Sequence, residues 1–132
     1  MSDPVAVVQQ YFDALAAKDF ATVAGFLADK IVWHQPGANR FSGRQEGAAA
    51  VNAMIGGMMQ LSGGSFELAL TTPPMLNEDT GLVAATIHFT AHRDGAKLGQ
   101  DGVDLLKVAD GKIVEVWLFS ADQPAEDEFW GR

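Results

Sequence analysis

Three polar side chains, Tyr11, His34 and Asp104, carry the chemistry that this chain's order of residues suggests. His34 ends a run of strand-forming residues, Ile31, Val32 and Trp33, just before Pro36 and Gly37 break it. A side chain that titrates near neutral pH, at a strand end beside a loop, marks a reaction or binding site. Tyr11 lies on the apolar stripe of a helix, which turns its hydroxyl inward, where it needs a partner. Asp104 is placed by counting along a hairpin. If Asp110-Gly111 forms a two-residue turn, Ala109 pairs with Lys112 and Val108 with Ile113, and Asp104 falls opposite Trp117. That puts Asp104 on the face of Leu106 and Glu115, partly desolvated beside an indole. Desolvation raises a carboxyl pKa and favours the protonated form at neutral pH.

The elements that must hold these groups read as helices first and strands afterwards. Asp3 or Ser2 caps a first helix with Pro4 in its first turn, and Val5, Val8, Tyr11, Phe12 and Leu15 recur at helical spacing. Asp19 caps a shorter helix with Phe20, Val23, Ala24 and Leu27 on its apolar face. After the His34 strand and a polar loop, a third helix is predicted over about residues 46–61. Its stripe is Val51, Met54, Ile55, Met58 and Leu61, ended by Gly63-Gly64. From Ser65 the period changes to two. Strands are predicted over 66–71, 82–93, 97–108 and 112–120, with Asp94-Gly95 and Asp110-Gly111 as hairpin turns. In the acidic tail, 121–132, Phe129 and Trp130 are expected to dock on the body.

This order predicts an α+β fold in which a curved sheet, mixed or antiparallel, wraps three N-terminal helices as one domain over 1–132. The cone between sheet and helices is the expected pocket. Met54 and Met58, soft and adaptable, are candidates for its wall, with Phe89, Trp117 and Phe119. A two-residue Asp94-Gly95 turn puts Ala85, Ile87, Phe89 and Gln100 on the Asp104 face, and His88 opposite Asp101 on the other. The outer face then carries Val103, Leu105, Val114, Val116 and Leu118, too apolar for water, which predicts a homodimer through the sheet.

Composition narrows the partners. The 132 residues carry a net charge of −8 and 48% apolar side chains, an ordinary soluble composition. The basic residues are scattered, which argues against nucleic acid and anionic membranes as partners. No cysteine is present, so thiolate chemistry, disulfides and cysteine metal sites are excluded, and a cytoplasmic location is expected. His34, His88 and His92 show no metal-ligand spacing, so neither metal nor cofactor is expected.

Three motifs, QQYFDALAAKDF from Gln9, IVWHQPG from Ile31 and VDLLKVADGKIVEVW from Val103, resemble the nuclear transport factor 2-like superfamily in its SnoaL-like and ketosteroid-isomerase-like branch. The resemblance spans nearly the whole chain. It implies an oxyanion hole made by Tyr11 and a protonated Asp104, and a catalytic base at the end of the first strand, at His34 or Gln35. The family uses an aspartate there, and neither residue is one. Epoxide hydrolases and polyketide cyclases of this fold keep an acid two residues after the strand tryptophan, where this chain has Phe119. Two functions follow. One is an isomerase-like or cyclase-like enzyme acting on an apolar carbonyl compound. The other is a non-catalytic module binding a small apolar molecule or a protein.

Overall fold

The computed structural model describes residues 3–132. The first helix, α1 (Pro4–Ala16), begins as its sequence demands: the Asp3 carboxylate accepts from the Val5 amide at 2.9 Å, with Pro4 in the first turn. Ser2, the alternative cap, lies outside the described residues. The inward stripe buries Val8, Tyr11 and Phe12. A short turn leads to α2 (Phe20–Phe26), where Asp19 caps Thr22. Leu27 no longer belongs to that helix. It starts β1 (Leu27–Gln35), four residues before the run from Ile31.

One element escapes the sequence pattern early on. The polar loop after β1 contains a strand, β2 (Gly43–Glu46), which pairs antiparallel with β1, His34 opposite Arg44. It takes Glu46 from the predicted helix, so α3 runs Ala48–Leu61. The helix ends at Gly63 and Gly64, both at positive φ, with the Gly64 amide on the Met59 carbonyl. The strands β3 (Glu67–Leu70), β4 (Met75–Leu76), β5 (Leu82–Arg93), β6 (Ala96–Ala109) and β7 (Lys112–Ser120) follow. The sheet order is β2-β1-β7-β6-β5-β3, with β4 also on β5. β1 and β7 run parallel, and the other paired strands are antiparallel.

Both hairpin turns are of the two-residue kind. Asp94-Gly95 and Asp110-Gly111 each place two residues at positive φ, the geometry that matches strand twist. In the first hairpin the register continues unbroken: Ala85 faces Asp104, Phe89 faces Gln100, and His88 meets Asp101 on the outer face. In the second the pairing shifts. Val108 faces Ile113, but Lys107 faces Glu115, so Val114 is one extra residue in β7. Every side chain beyond it changes face.

That bulge corrects the sequence reading. Asp104 lies opposite Leu118, not Trp117. Val116 and Leu118 turn inward, and Glu115, Trp117 and Phe119 turn outward. The physical reason is the core: the shift buries Val116 fully, whereas an unbroken register would push the Glu115 carboxylate inside. The outer face is therefore Val103 and Leu105 with Trp117 and Phe119, not the all-aliphatic patch expected.

The tail forms a fourth helix, α4 (Gln123–Trp130), with Asp122 accepting from the Ala125 amide. Trp130 is completely buried and meets the Phe41 ring edge-on at 5.3 Å. The Asn39 amide donates to Asp127 at 2.7 Å, and the Arg93 guanidinium to the Trp130 carbonyl at 3.2 Å. The helix is thus latched over the end of the sheet. Among the described residues, no helix is long and apolar enough to cross a membrane.

Candidate functional site

A mostly apolar cavity lies between the sheet's inner face and the helices. Leu15 and Tyr11 of α1 form one wall, Met54, Ile55, Met58 and Met59 of α3 another. Trp33 and Gln35 come from β1, Ile87 and Phe89 from β5, Asp104 from β6, Leu118 and Ser120 from β7, and Glu126 from α4. Its volume is about 70 Å³. A bulky ligand therefore requires the wall to give, and the flexible methionines of α3 are the side chains best able to do so.

Inside it, two polar groups have no partner. The Tyr11 hydroxyl and Asp104 Oδ1 are fully buried and make no hydrogen bond among the described residues. Each unpaired group costs about 1–3 kcal/mol, a cost a fold seldom keeps without use. Burial, and second the negative charge of Glu126, push the Asp104 pKa up to about 8. At neutral pH the carboxyl is then mostly protonated and able to donate. Burial likewise raises the Tyr11 phenol above its ordinary value, helped by the nearby Asp104. Both groups are donors in search of an acceptor.

His34 is not with them. It pairs with Trp117 across the parallel β1–β7 ladder, on the outer face. Its ring stacks on that indole at 5.5 Å, and Nε2 lies 2.8 Å from Glu115 Oε2. Inward and outward residues alternate along a strand, so the side chains that enter the cavity are its neighbours, Trp33 and Gln35. The expected convergence of Tyr11, His34 and Asp104 is therefore corrected to Tyr11, Gln35 and Asp104. Trp117 does not line the cavity. Phe119 reaches its edge with a side chain 55% exposed. Met54, Met58, Phe89 and Gln35 stand in its wall.

Of the charged groups at the cavity, the sequence reading missed Glu126. Glu126 is 4% exposed and accepts hydrogen bonds from Ser120 Oγ at 2.7 Å, Gln123 Nε2 at 3.1 Å and Trp130 Nε1 at 3.3 Å. The available signal was local: Glu126, Phe129 and Trp130 share one face of a helix that Asp122 caps.

With this arrangement in view, comparison with known proteins decides the family. A SnoaL-like domain family model matches residues 8–116. The chain belongs to the SnoaL-like family. A Xanthomonas campestris protein of unknown function with a cystatin-like fold is 42% identical, at TM-score 0.93, covering 99% of this chain and 100% of that one. Bal32a, from a soil-derived mobile gene cassette, is 26% identical at TM-score 0.90, covering 96% and 95%. An uncharacterized protein of Mycobacterium tuberculosis is 29% identical over 94% of this chain and 93% of its own. A candidate polyketide cyclase of Pseudomonas putida, 19% identical with 99% and 100% covered, shares the fold at TM-score 0.74. So does a candidate ketosteroid isomerase of Kribbella flavida, 23% identical with 90% and 78% covered, at TM-score 0.69. This SnoaL-like protein thus has the nuclear transport factor 2-like architecture. At the end of its first strand, where the resemblance puts a base, the inward residue is an amide.

Proposed function

We propose that this protein binds an apolar small molecule with a carbonyl-type oxygen inside the cone, and that Tyr11 and protonated Asp104 donate to that oxygen. The observation that carries the reading is the pair of buried, unpartnered donors in an otherwise apolar cavity. An apolar frame leaves water for the walls, and one oxygen accepts from both groups.

Binding is favoured over catalysis because His34 faces away and Gln35 has no basic lone pair comparable to a carboxylate. If proton transfer does occur, as in isomerisation or cyclisation, Glu126 is the cavity carboxylate left to accept the proton, while Tyr11 and Asp104 stabilise the enolate-like oxygen. The probe 1-tetralone separates these cases. Calorimetry should detect its binding to the wild type and a loss of about tenfold in Tyr11→Phe, the scale of one hydrogen bond to a charged or strongly polarised group. Hydrogen–deuterium exchange beside its carbonyl, faster with protein than in buffer and abolished in Glu126→Gln, would establish proton transfer. No measurable binding at millimolar 1-tetralone refutes the reading.

We further propose that the outer sheet face pairs two copies of the chain. Phe119 at 55% exposure, beside Trp117, Val103 and Leu105, supports it.

A further inference from the structure

We propose that Gln35 is a ligand-contacting donor, and that the molecule taken by the cavity carries two acceptor oxygens on a ring-sized apolar frame. One oxygen is held by Tyr11 and Asp104, the other by the Gln35 amide. This rests on the binding reading above and narrows its ligand class.

The orientation of the amide follows from its neighbour. Trp33 Nε1 lies 2.8 Å from Gln35 Oε1, and an indole N–H is a donor only. The amide oxygen is therefore fixed towards Trp33, and the NH2 group is turned away from it. Both residues are buried, at 5% and 7% exposure, and both border the cavity. No acceptor for that NH2 occurs among the hydrogen bonds of the described residues, where Gln35 takes part only through its oxygen. Two N–H donors are thereby presented where the family's base would offer an acceptor.

The strand register measures the distance to the other donors. His34 pairs with Trp117, so the next inward residue, Gln35, adjoins Leu118, and Leu118 pairs with Asp104. Gln35 and Asp104 are two strand spacings apart, about 10 Å, with Leu118 as the floor between them. Side chains standing upright on the sheet, each making a hydrogen bond of about 2.9 Å, leave roughly 4 Å between the two accepting oxygens. Two carbonyl oxygens set across one six-membered ring are roughly 5 Å apart, a difference that a slight outward lean of the Gln35 side chain absorbs. A ligand lacking the second oxygen leaves the amide unpaired, and sites of this kind discriminate strongly against such analogues.

Calorimetry on the full chain with 1,4-naphthoquinone and 1-tetralone tests the idea. Both have a fused ten-carbon frame, and the quinone adds the second ring oxygen. The absence of cysteine removes thiol addition as a side reaction. The quinone should bind about tenfold tighter, the effect of one added hydrogen bond. It should also shift the Gln35 side-chain amide signals in nitrogen–proton NMR spectra, which 1-tetralone leaves in place. Gln35→Leu should abolish the preference, the quinone then binding no more tightly than 1-tetralone does to the same variant. Gln35→Glu keeps an acceptor for Trp33 Nε1, so it covers the case in which the leucine variant misfolds, and it too should lose the preference. Binding of 1-tetralone with no preference for the quinone, or a preference that survives in both variants, overturns the inference and leaves the binding reading standing. Failure of both probes to bind overturns the two together.

Discussion

Replacing Asp104 by Asn should change the pH dependence of stability in a defined direction. The carboxyl titrates near 3.8 when unfolded and at about 8 in the folded protein, because burial and Glu126 disfavour its charge. Below the unfolded value both states hold the proton, and Asp104 contributes no pH dependence. Between the two values only the folded state keeps it, so each unit of rising pH removes about 1.4 kcal/mol of stability. Above about pH 8 both states are ionised and the loss is complete. The full interval corresponds to roughly 6 kcal/mol, an upper bound that water entry and side-chain movement will reduce. A third of it, about 2 kcal/mol, still shifts Tm by roughly 5–10 °C in a chain of this size. Asn keeps the shape without the charge. In calorimetric scans from pH 4 to pH 10, wild type should lose stability steadily from pH 5 to pH 8, and Asp104→Asn should lose much less. Taking the difference between the two proteins cancels the groups they have in common. The reasoning fails if the two profiles run parallel, or if the Asp104 carboxyl carbon titrates near pH 4 by NMR.

Three further outcomes follow from the same geometry. Tyr11→Phe removes a buried hydroxyl that has no partner, so urea unfolding should show stability unchanged or raised by about 1 kcal/mol even as ligand affinity falls. Glu126→Gln removes the charge that helps raise Asp104, so NMR titration should find the Asp104 pKa lowered towards its ordinary value. His34→Gln breaks a pair whose side chains are about a third exposed, so it should cost under about 1 kcal/mol and leave 1-tetralone binding within twofold. The pairing of sheets is checked by light scattering, where Phe119→Glu should convert a dimer into a monomer of 14.1 kDa.

Much of this protein could be read locally. The helix caps at Asp3 and Asp19, the stripe that carries Tyr11 inward, and the two Asp-Gly turns depend on contacts within a few residues, so the sequence alone determines them. The β5–β6 register agrees with a count from its two-residue turn, which sets Asp104 on the face of Ala85, Ile87 and Phe89. The resemblance carried by the motifs led to the right family.

What tertiary structure decided is which way the remaining site residues point. In a strand of period two, one extra residue exchanges the faces, and no local pattern says whether Val114 is skipped. The core decides, because Val116 and Leu118 compete with Glu115 and Trp117 for the inside, and burying the carboxylate costs more. Likewise, His34 and Gln35 are adjacent and both polar. Only the parallel pairing of β1 with β7, set by residues about eighty positions away, turns the amide into the cavity and the imidazole out onto Trp117. Glu126 follows the same logic: its helix is announced by its cap, but its place at the cavity exists only once Trp130 and Phe129 have found the core.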